Sequence, residues 1–386
     1  MPEPTRAIVV QKYGGSSLAD TAKLTAVAKR VVELKRSGKD VVVVVSAMGK
    51  TTDGLLSLAR EVAAEPSRRE LDMLLSVGER ISMALMSMAI HGLGEEAISL
   101  TGSQCGILTT DSHSRARIME VRPFRVQDEL AKGRIVIVAG YQGTSYKREI
   151  TTLGRGGSDV TAVALAGALA AEACEIYSDV DGVLTADPRV VPSATKIELL
   201  SHAEMEEMAR LGAKVLHRDA VAWARRTGVA LWSRSTFTPE SKGTEVRVNP
   251  PPRPTPVVAI ASRRDVIALD SNDEEAIEAL LVDVPVAGRI AGSGGTSWLL
   301  TREDTHEIGT LCLRAEQAGA QVTRELGSVS VIGGGLGEDR QVYDAIRQRF
   351  AAVPSVLGGM SWTAYFPVDA IDDIVRDLHD SLLSGS

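Results

Sequence analysis

Residues 7–17 read AIVVQKYGGSS, and residues 21–45 behind them complete the pattern that decides the fold. Residues 7–10 form a short β-branched run that leads through Lys12 into two glycines, as a buried parallel strand does. Residues 21–37 then repeat apolar side chains at helical spacing, Leu24, Val27, Val31 and Leu34, with Gly38 as the stop. Residues 41–45 are five valines, a second buried strand. Strand, helix and strand in so short a span make one β-α-β unit.

The theme recurs outward. Residues 135–139 read as a strand, 159–171 as an Ala-rich helix and 175–178 as another strand. Alternating strands and helices predict a three-layer αβα sandwich on a mostly parallel sheet. Residues 249–256 read NPPPRPTP, and five prolines in eight residues exclude both a helix and a central strand. The expected organisation is therefore a catalytic domain over 1–248, a linker over 249–256 and a second region over 257–386. In that second region, 257–269, 274–281, 328–332, 341–351 and 371–383 read as strands and helices of one or two small α+β modules.

Bulk composition narrows the function. A chain of 386 residues is too long for one core. A net charge of -7 speaks against a nucleic-acid partner, which would want a basic face. No apolar run reaches the length of a membrane span; residues 81–93, broken by Ser82, Ser87 and His91, read as a buried helix, so no membrane association is expected. The N-terminal residues lack the apolar core of a signal peptide, and Cys105, Cys174 and Cys312 are too scattered for a disulfide framework or a zinc site. A cytoplasmic location is the expectation.

Five loops carry the chemistry. Gly14 and Gly15 after Lys12 let backbone N–H groups approach an anion, with a helix N-terminus behind them. Residues 46–53, SAMGKTTD, follow the valine strand; the stretch is not a Walker A loop, because that template needs glycine where Val44 stands. It is a small-residue loop at the strand end where open α/β sheets bind ligands. Residues 152–159, TLGRGGSD, set Arg155 between glycines, able to offer a fork to a carboxylate, with Ser158 or Asp159 suited to cap the next helix. Residues 178–189, SDVDGVLTADPR, place three acids after a strand, and an acidic surface turn is the plain alternative for Asp181. Residues 212–217, GAKVLH, put Lys214 in what reads as a helical setting. The six histidines, His91, His113, His202, His217, His306 and His379, show no ligand-like pairing, and no metal site is expected.

Taken together these loops resemble the aspartokinase family of amino-acid kinases. Residues 12–17, 46–49, the pair Gly78-Glu79, and residues 152–159, 179–189 and 212–217 match that family's motifs in its order, over about 240 residues. The resemblance implies the amino-acid-kinase sandwich followed by paired ACT modules of ferredoxin-like topology, which bind regulatory amino acids and join a homodimer or higher homo-oligomer. It implies ATP as cosubstrate, with Mg²⁺, and phosphorylation of the aspartate side-chain carboxylate. Lys12 and Lys214 would contact the transferring phosphoryl group, and Asp159 would orient the lysines. Glu79 would meet the substrate ammonium and Arg155 its α-carboxylate, with Ser46, Thr51, Thr52, Tyr141 and Ser158 completing that side. Gly14, Gly15, Ser16, Ser178, Asp179, Leu184, Asp187 and Arg189 would join Lys12 and Lys214 on the nucleotide side.

The chain departs from the pattern in places. Leu184 stands where the family has tyrosine, and Arg218 follows His217 where proline is common. Val284-Pro285-Val286 leads to a glycine run at 292–295 where the first ACT module would begin a helix, so that module reads as degenerate. Two other readings stay open: a kinase of the same fold acting on another small amino acid or carboxylate, and a non-catalytic amino-acid sensor.

Overall fold

The computed structural model describes residues 6–253, 255–292, 295–305, 307–337 and 339–383. His306, Pro254, Ser293 and Gly294, which figured in the reading above, lie outside the described residues. In chain order the first half runs β1 (Ile8–Tyr13), α1 (Thr21–Arg36), β2 (Asp40–Val45), α2 (Thr51–Val62), α3 (Arg68–Leu75), α4 (Val77–Gly92) and β3 (Ala97–Leu100). There follow β4 (Ile107–Thr109), β5 (Ile118–Val121), α5 (Phe124–Ala131), β6 (Ile135–Ala139), β7 (Gln142–Ser145), β8 (Ile150–Thr152) and α6 (Gly157–Ala168). Then come β9 (Ala173–Ser178), β10 (Leu199–Ser201), α7 (His202–Arg210), α8 (Arg218–Thr227), β11 (Ala230–Ser235) and β12 (Thr244–Arg247).

Eight strands make the main sheet, in the order β10-β12-β11-β9-β1-β2-β6-β3. Every neighbouring pair is parallel except β11 with β12. The valines of β2 explain its central place: all five are fully buried, as a strand covered on both faces demands. Val41, Val43 and Val45 pack with Leu24, Val27 and Val31 of α1 and with Met86 and Ile90 of α4. Alternation turns Val42 and Val44 to the opposite face, where α6 packs on β1 and β2. The result is the expected three-layer sandwich. The stretch Arg68–Gly92 is long and apolar enough to cross a membrane, yet α4 packs on α1, β3 and β6 as a core helix. A second sheet, β5-β4-β7-β8, stands beside the strand ends and frames the loops at 110–117 and 152–157.

The chain divides into two compact units: Met1–Val183 with Lys196–Glu206 and Lys214–Pro250, and Leu184–Thr195 with Glu207–Ala213 and Pro251–Ser386. The single boundary expected at 249–256 is thus too simple. Ala186 and Val191 bury themselves in the same core as Val257, Ile260, Val331 and Trp362, which draws their segment into the second unit.

The second unit adds β13 (Ala259–Ser271), α9 (Glu274–Leu280), β14 (Gly288–Gly292), β15 (Gly295–Thr301), α10 (Ile308–Gln317) and β16 (Gln321–Ile332). After them come α11 (Arg340–Arg349), β17 (Ser355–Leu357), β18 (Ser361–Pro367) and α12 (Ile371–Leu382). One six-stranded antiparallel sheet results, in the order β14-β15-β13-β16-β18-β17. Its two long strands serve two modules at once. Asp270 pairs with Gln321 at one end of β13 and Ala259 with Ile332 at the other, with register shifts near Val266 between them. The first end belongs to a βαββαβ module packed around Leu269, Ile277, Trp298 and Leu311. The other end completes a second such module around Val329, Ile346, Trp362 and Val375. Gly292 and Gly295, part of the run read as failed helix, face each other where β14 turns back on β15. The first module has two helices, α9 and α10, and the stretch with poor helical character forms strands β14 and β15.

Candidate active site

Because β1, β2 and β6 are parallel neighbours, their carboxyl ends meet at one edge of the sheet. Past β1 the chain turns at once: Ser17 N donates to Gly14 O (3.1 Å), and Gly14 N donates to Tyr177 O of β9 (3.2 Å). Gly49 N donates to Gly15 O (3.0 Å), which ties this turn to the loop after β2. A Cβ on Gly15 would stand 2.9 Å from Ala47 O, so only glycine allows that approach. Lys12 points to the α6 face, opposite to Tyr13, and its Nζ lies 2.6 Å from Asp159 Oδ1. Both side chains are nearly buried, at 11% and 13% exposure, so the pair is harder to break than a surface ion pair.

Asp159 comes from the first turn of α6. The helix is entered through Gly156, at φ +67°, with no side-chain cap. Ser158 and Asp159 therefore do not cap it, contrary to the expectation, and the Asp159 carboxylate is left to Lys12. A Cβ on Gly156 would sit 2.2 Å from the ring of His217, so the loop after α7 reaches this turn. Lys214 lies in that loop, not in a helix as its Ala/Met-rich surroundings suggested. Gly212, at φ +116°, takes a backbone conformation no helix continues. Arg155 is exposed between its glycines. Ser158 is buried, and a Cβ on Gly140 would lie 2.8 Å from its Oγ. Tyr141, after β6, holds φ +68°; its N–H donates to Thr161 Oγ1 (3.2 Å), and burial pushes its phenol up.

Glu79 stands in the first turn of α4 with 4% exposure. Ala47 N donates to its Oε1 (3.1 Å), while its Oε2 is buried without a hydrogen-bond partner among the described residues. Burial raises its pKa to about 7. A Cβ on Gly78 would lie 2.8 Å from the Ala47 methyl, so the Gly-Glu pair lets α4 press on the loop after β2. In that loop Ser46 N donates to Tyr13 O (3.1 Å) and Thr51 Oγ1 donates to Met48 O (2.6 Å); Thr52 is half-buried beside it.

Ser16 and Asp179 are exposed, and Ser178 Oγ accepts from Val180 N (3.3 Å) at the end of β9. Leu184, Asp187 and Arg189 belong to the second unit. Asp187 and Arg189 pair with each other at 2.6 Å, which holds the Asp187 carboxyl below its usual range. Two features escaped the sequence. Thr236 Oγ1 lies 2.6 Å from Ser17 Oγ, and Thr236 N donates to Ser178 O (2.8 Å), which joins the loop after β11 to the glycine turn. Asp72 of α3 is fully buried and binds Thr152. Neither carries a motif; both are visible only once distant segments are folded together. Among the described residues no group of three or more His, Cys, Asp or Glu could hold a metal ion.

The amino acid kinase family matches residues 7–232. An aspartokinase of Mycolicibacterium smegmatis is 57% identical over 242 residues, covering 62% of this chain and 57% of that relative. One of Corynebacterium glutamicum is 58% identical over 233 residues, covering 60% and 55%. The chain thus matches little more than half the length of these relatives. Among solved structures, E. coli aspartokinase III in complex with aspartate and ADP (R-state) is similar with TM-score 0.84 at 25% identity, over 97% of this chain and 99% of that one. The same enzyme in complex with lysine and aspartate (T-state) gives TM-score 0.77 at 26% identity, with the same coverage.

Proposed function

The chain belongs to the amino acid kinase family, and on that premise we propose that it transfers the γ-phosphoryl group of ATP to the side-chain carboxylate of L-aspartate, giving ADP and 4-phospho-L-aspartate. One observation carries the reading: a buried carboxylate, Glu79, with one oxygen unpartnered, at the same sheet edge as the Lys12–Asp159 pair. A buried, half-satisfied carboxylate is costly unless a cation completes it. An α-ammonium is such a cation, and the exposed Arg155 suits an α-carboxylate. The E. coli relative bound to aspartate and ADP is consistent with the same pair of ligands here.

The acceptor carboxylate is ionised at neutral pH and needs no general base. One of its oxygens attacks the γ-phosphorus; the new O–P bond forms as the bond to the β–γ bridging oxygen breaks, and ADP leaves with the electron pair. The barrier is repulsion between two anions, about 4 kcal/mol for unit charges 4 Å apart at an effective dielectric near 20. Catalysis is then positioning plus positive charge. Lys12 would neutralise the phosphoryl oxygens, and Asp159 would hold its ammonium in place. Lys214 would add a second cation, and the N–H groups of the Gly14–Gly15 turn would cradle phosphate. Ser46, Thr51, Thr52, Tyr141 and Ser158 would shape the amino-acid side, and Ser16, Ser178 and Asp179 the nucleotide side. Mg²⁺ would enter with ATP and supply further positive charge at the phosphates. The ACT-like modules would bind a regulatory amino acid and join two copies, and the three buried free cysteines suit a reducing cytoplasm.

A substrate panel tests the reading. ADP release should appear with L-aspartate and be absent with succinate, which lacks the ammonium group that Glu79 would meet. Equal turnover of succinate and aspartate would refute it.

A further inference from the structure

Asp72 is 0% exposed, yet no lysine or arginine neutralises it among the described residues. Its carboxylate instead gathers donors from two distant loops. Thr152 Oγ1 donates to Oδ1 (2.6 Å), Ser114 N donates to Oδ1 (3.0 Å) and Oδ2 (3.1 Å), and His113 Nδ1 lies 2.8 Å from Oδ2. A buried carboxylate held this way fixes its donors, because releasing any of them leaves a charge short of a partner.

The segments it fixes border the amino-acid side of the site. Thr152 ends β8 and opens the turn that carries Arg155. Ala116 N donates to Thr152 O (2.9 Å), and a Cβ on Gly154 would meet Ser114 O at 3.3 Å. Ser114 itself holds φ +66°, a left-handed conformation that a serine keeps only under restraint. The Asp72 bonds to its N–H are that restraint. Arg155, flanked by glycines and exposed, has little stiffness of its own.

We propose that Asp72 is a positioning residue for the amino-acid site: by clamping His113, Ser114 and Thr152 together it fixes the turn from Gly154 to Gly156 and so aims Arg155. The consequence for substrate binding rests on the aspartate-kinase reading; the clamp itself does not. Asp72→Asn and the gentler Thr152→Val, made in the full chain, separate the two. Without ligand, amide hydrogen exchange over residues 153–157 should quicken by about tenfold or more in both variants, while α1 and β2 exchange as in the parent. The KM for L-aspartate should rise by about tenfold, with the KM for ATP within about twofold. Unchanged exchange at 153–157 in both variants would overturn the proposal, as would parallel rises in both KM values. Faster exchange in a protein whose parent form shows no aspartate-dependent ADP release would uphold the clamp and reject the substrate reading.

Discussion

Glu79 is the residue on which burial and chemistry pull in opposite directions. Its pKa stands at about 7 against an ordinary 4.5, so the folded protein prefers it protonated. A raised carboxylate pKa means that stability is lost as pH climbs from 4.5 towards 7, and the full cost remains above that. The cost is on the order of 3 kcal/mol. Glu79→Gln should therefore melt above the parent protein at pH 8 and close to it at pH 4.5; a lower melting temperature at pH 8 would contradict this. Function runs the other way. An ammonium ligand needs the ionised form, so the KM for the amino acid should rise by about tenfold per pH unit below 7. In Glu79→Gln that slope should vanish and the KM should be high throughout; a retained slope would locate the titrating group elsewhere. Arg155→Ala should weaken amino-acid binding more than ATP binding, measured as the ratio of the two KM values.

At the level of elements, turns decide more than helices or strands do. Gly156 admits the ring of His217 and also takes φ +67°. Gly156→Ala should cost about 1–3 kcal/mol in thermal or urea unfolding, part of it recovered when His217→Ala is added. No recovery would mean that backbone strain alone is responsible. The same turn shows where sequence reading stops. The valines of β2 announced a buried strand, because burial on both faces leaves a local mark. The entry to α6 lies at Gly156, at φ +67°, and not at Ser158; the close approach of His217 to it, from far along the chain, leaves no local mark. Lys214 looked helical because Ala and Met dominate its neighbourhood, while Gly212 breaks the helix through a backbone angle that composition does not show. Lys12, Asp159 and Glu79 were legible as candidates from motif resemblance. Asp72 and Thr236 were not, since a lone acid on a helix and a threonine after a strand have no distinguishing pattern until their partners arrive.

For the whole molecule, the division into units matters more than the linker between them. Residues 184–195 bring Ala186 and Val191 into the core of the second unit. A fragment ending at Pro250 would leave those side chains without their partners, so it should aggregate or melt well below the full chain. A soluble fragment with a cooperative melt like the parent's would contradict that. The shared strands β13 and β16 were invisible in the sequence for a related reason: each end pairs in a different module, and only the register of distant segments reveals it. The fold brings Lys12, Asp159 and Glu79 to one sheet edge, and we propose that this edge serves phosphoryl transfer to an amino-acid carboxylate. Hydroxylamine trapping of the acyl phosphate tests that claim most directly, comparing the parent protein with Lys12→Ala at equal concentration. The parent should yield one aspartyl hydroxamate per ADP, and the variant, less stable but compared at a temperature where circular dichroism shows it folded, should turn over about 10² to 10³ times more slowly. ADP release without hydroxamate in the parent, or undiminished turnover in the folded variant, would contradict the account.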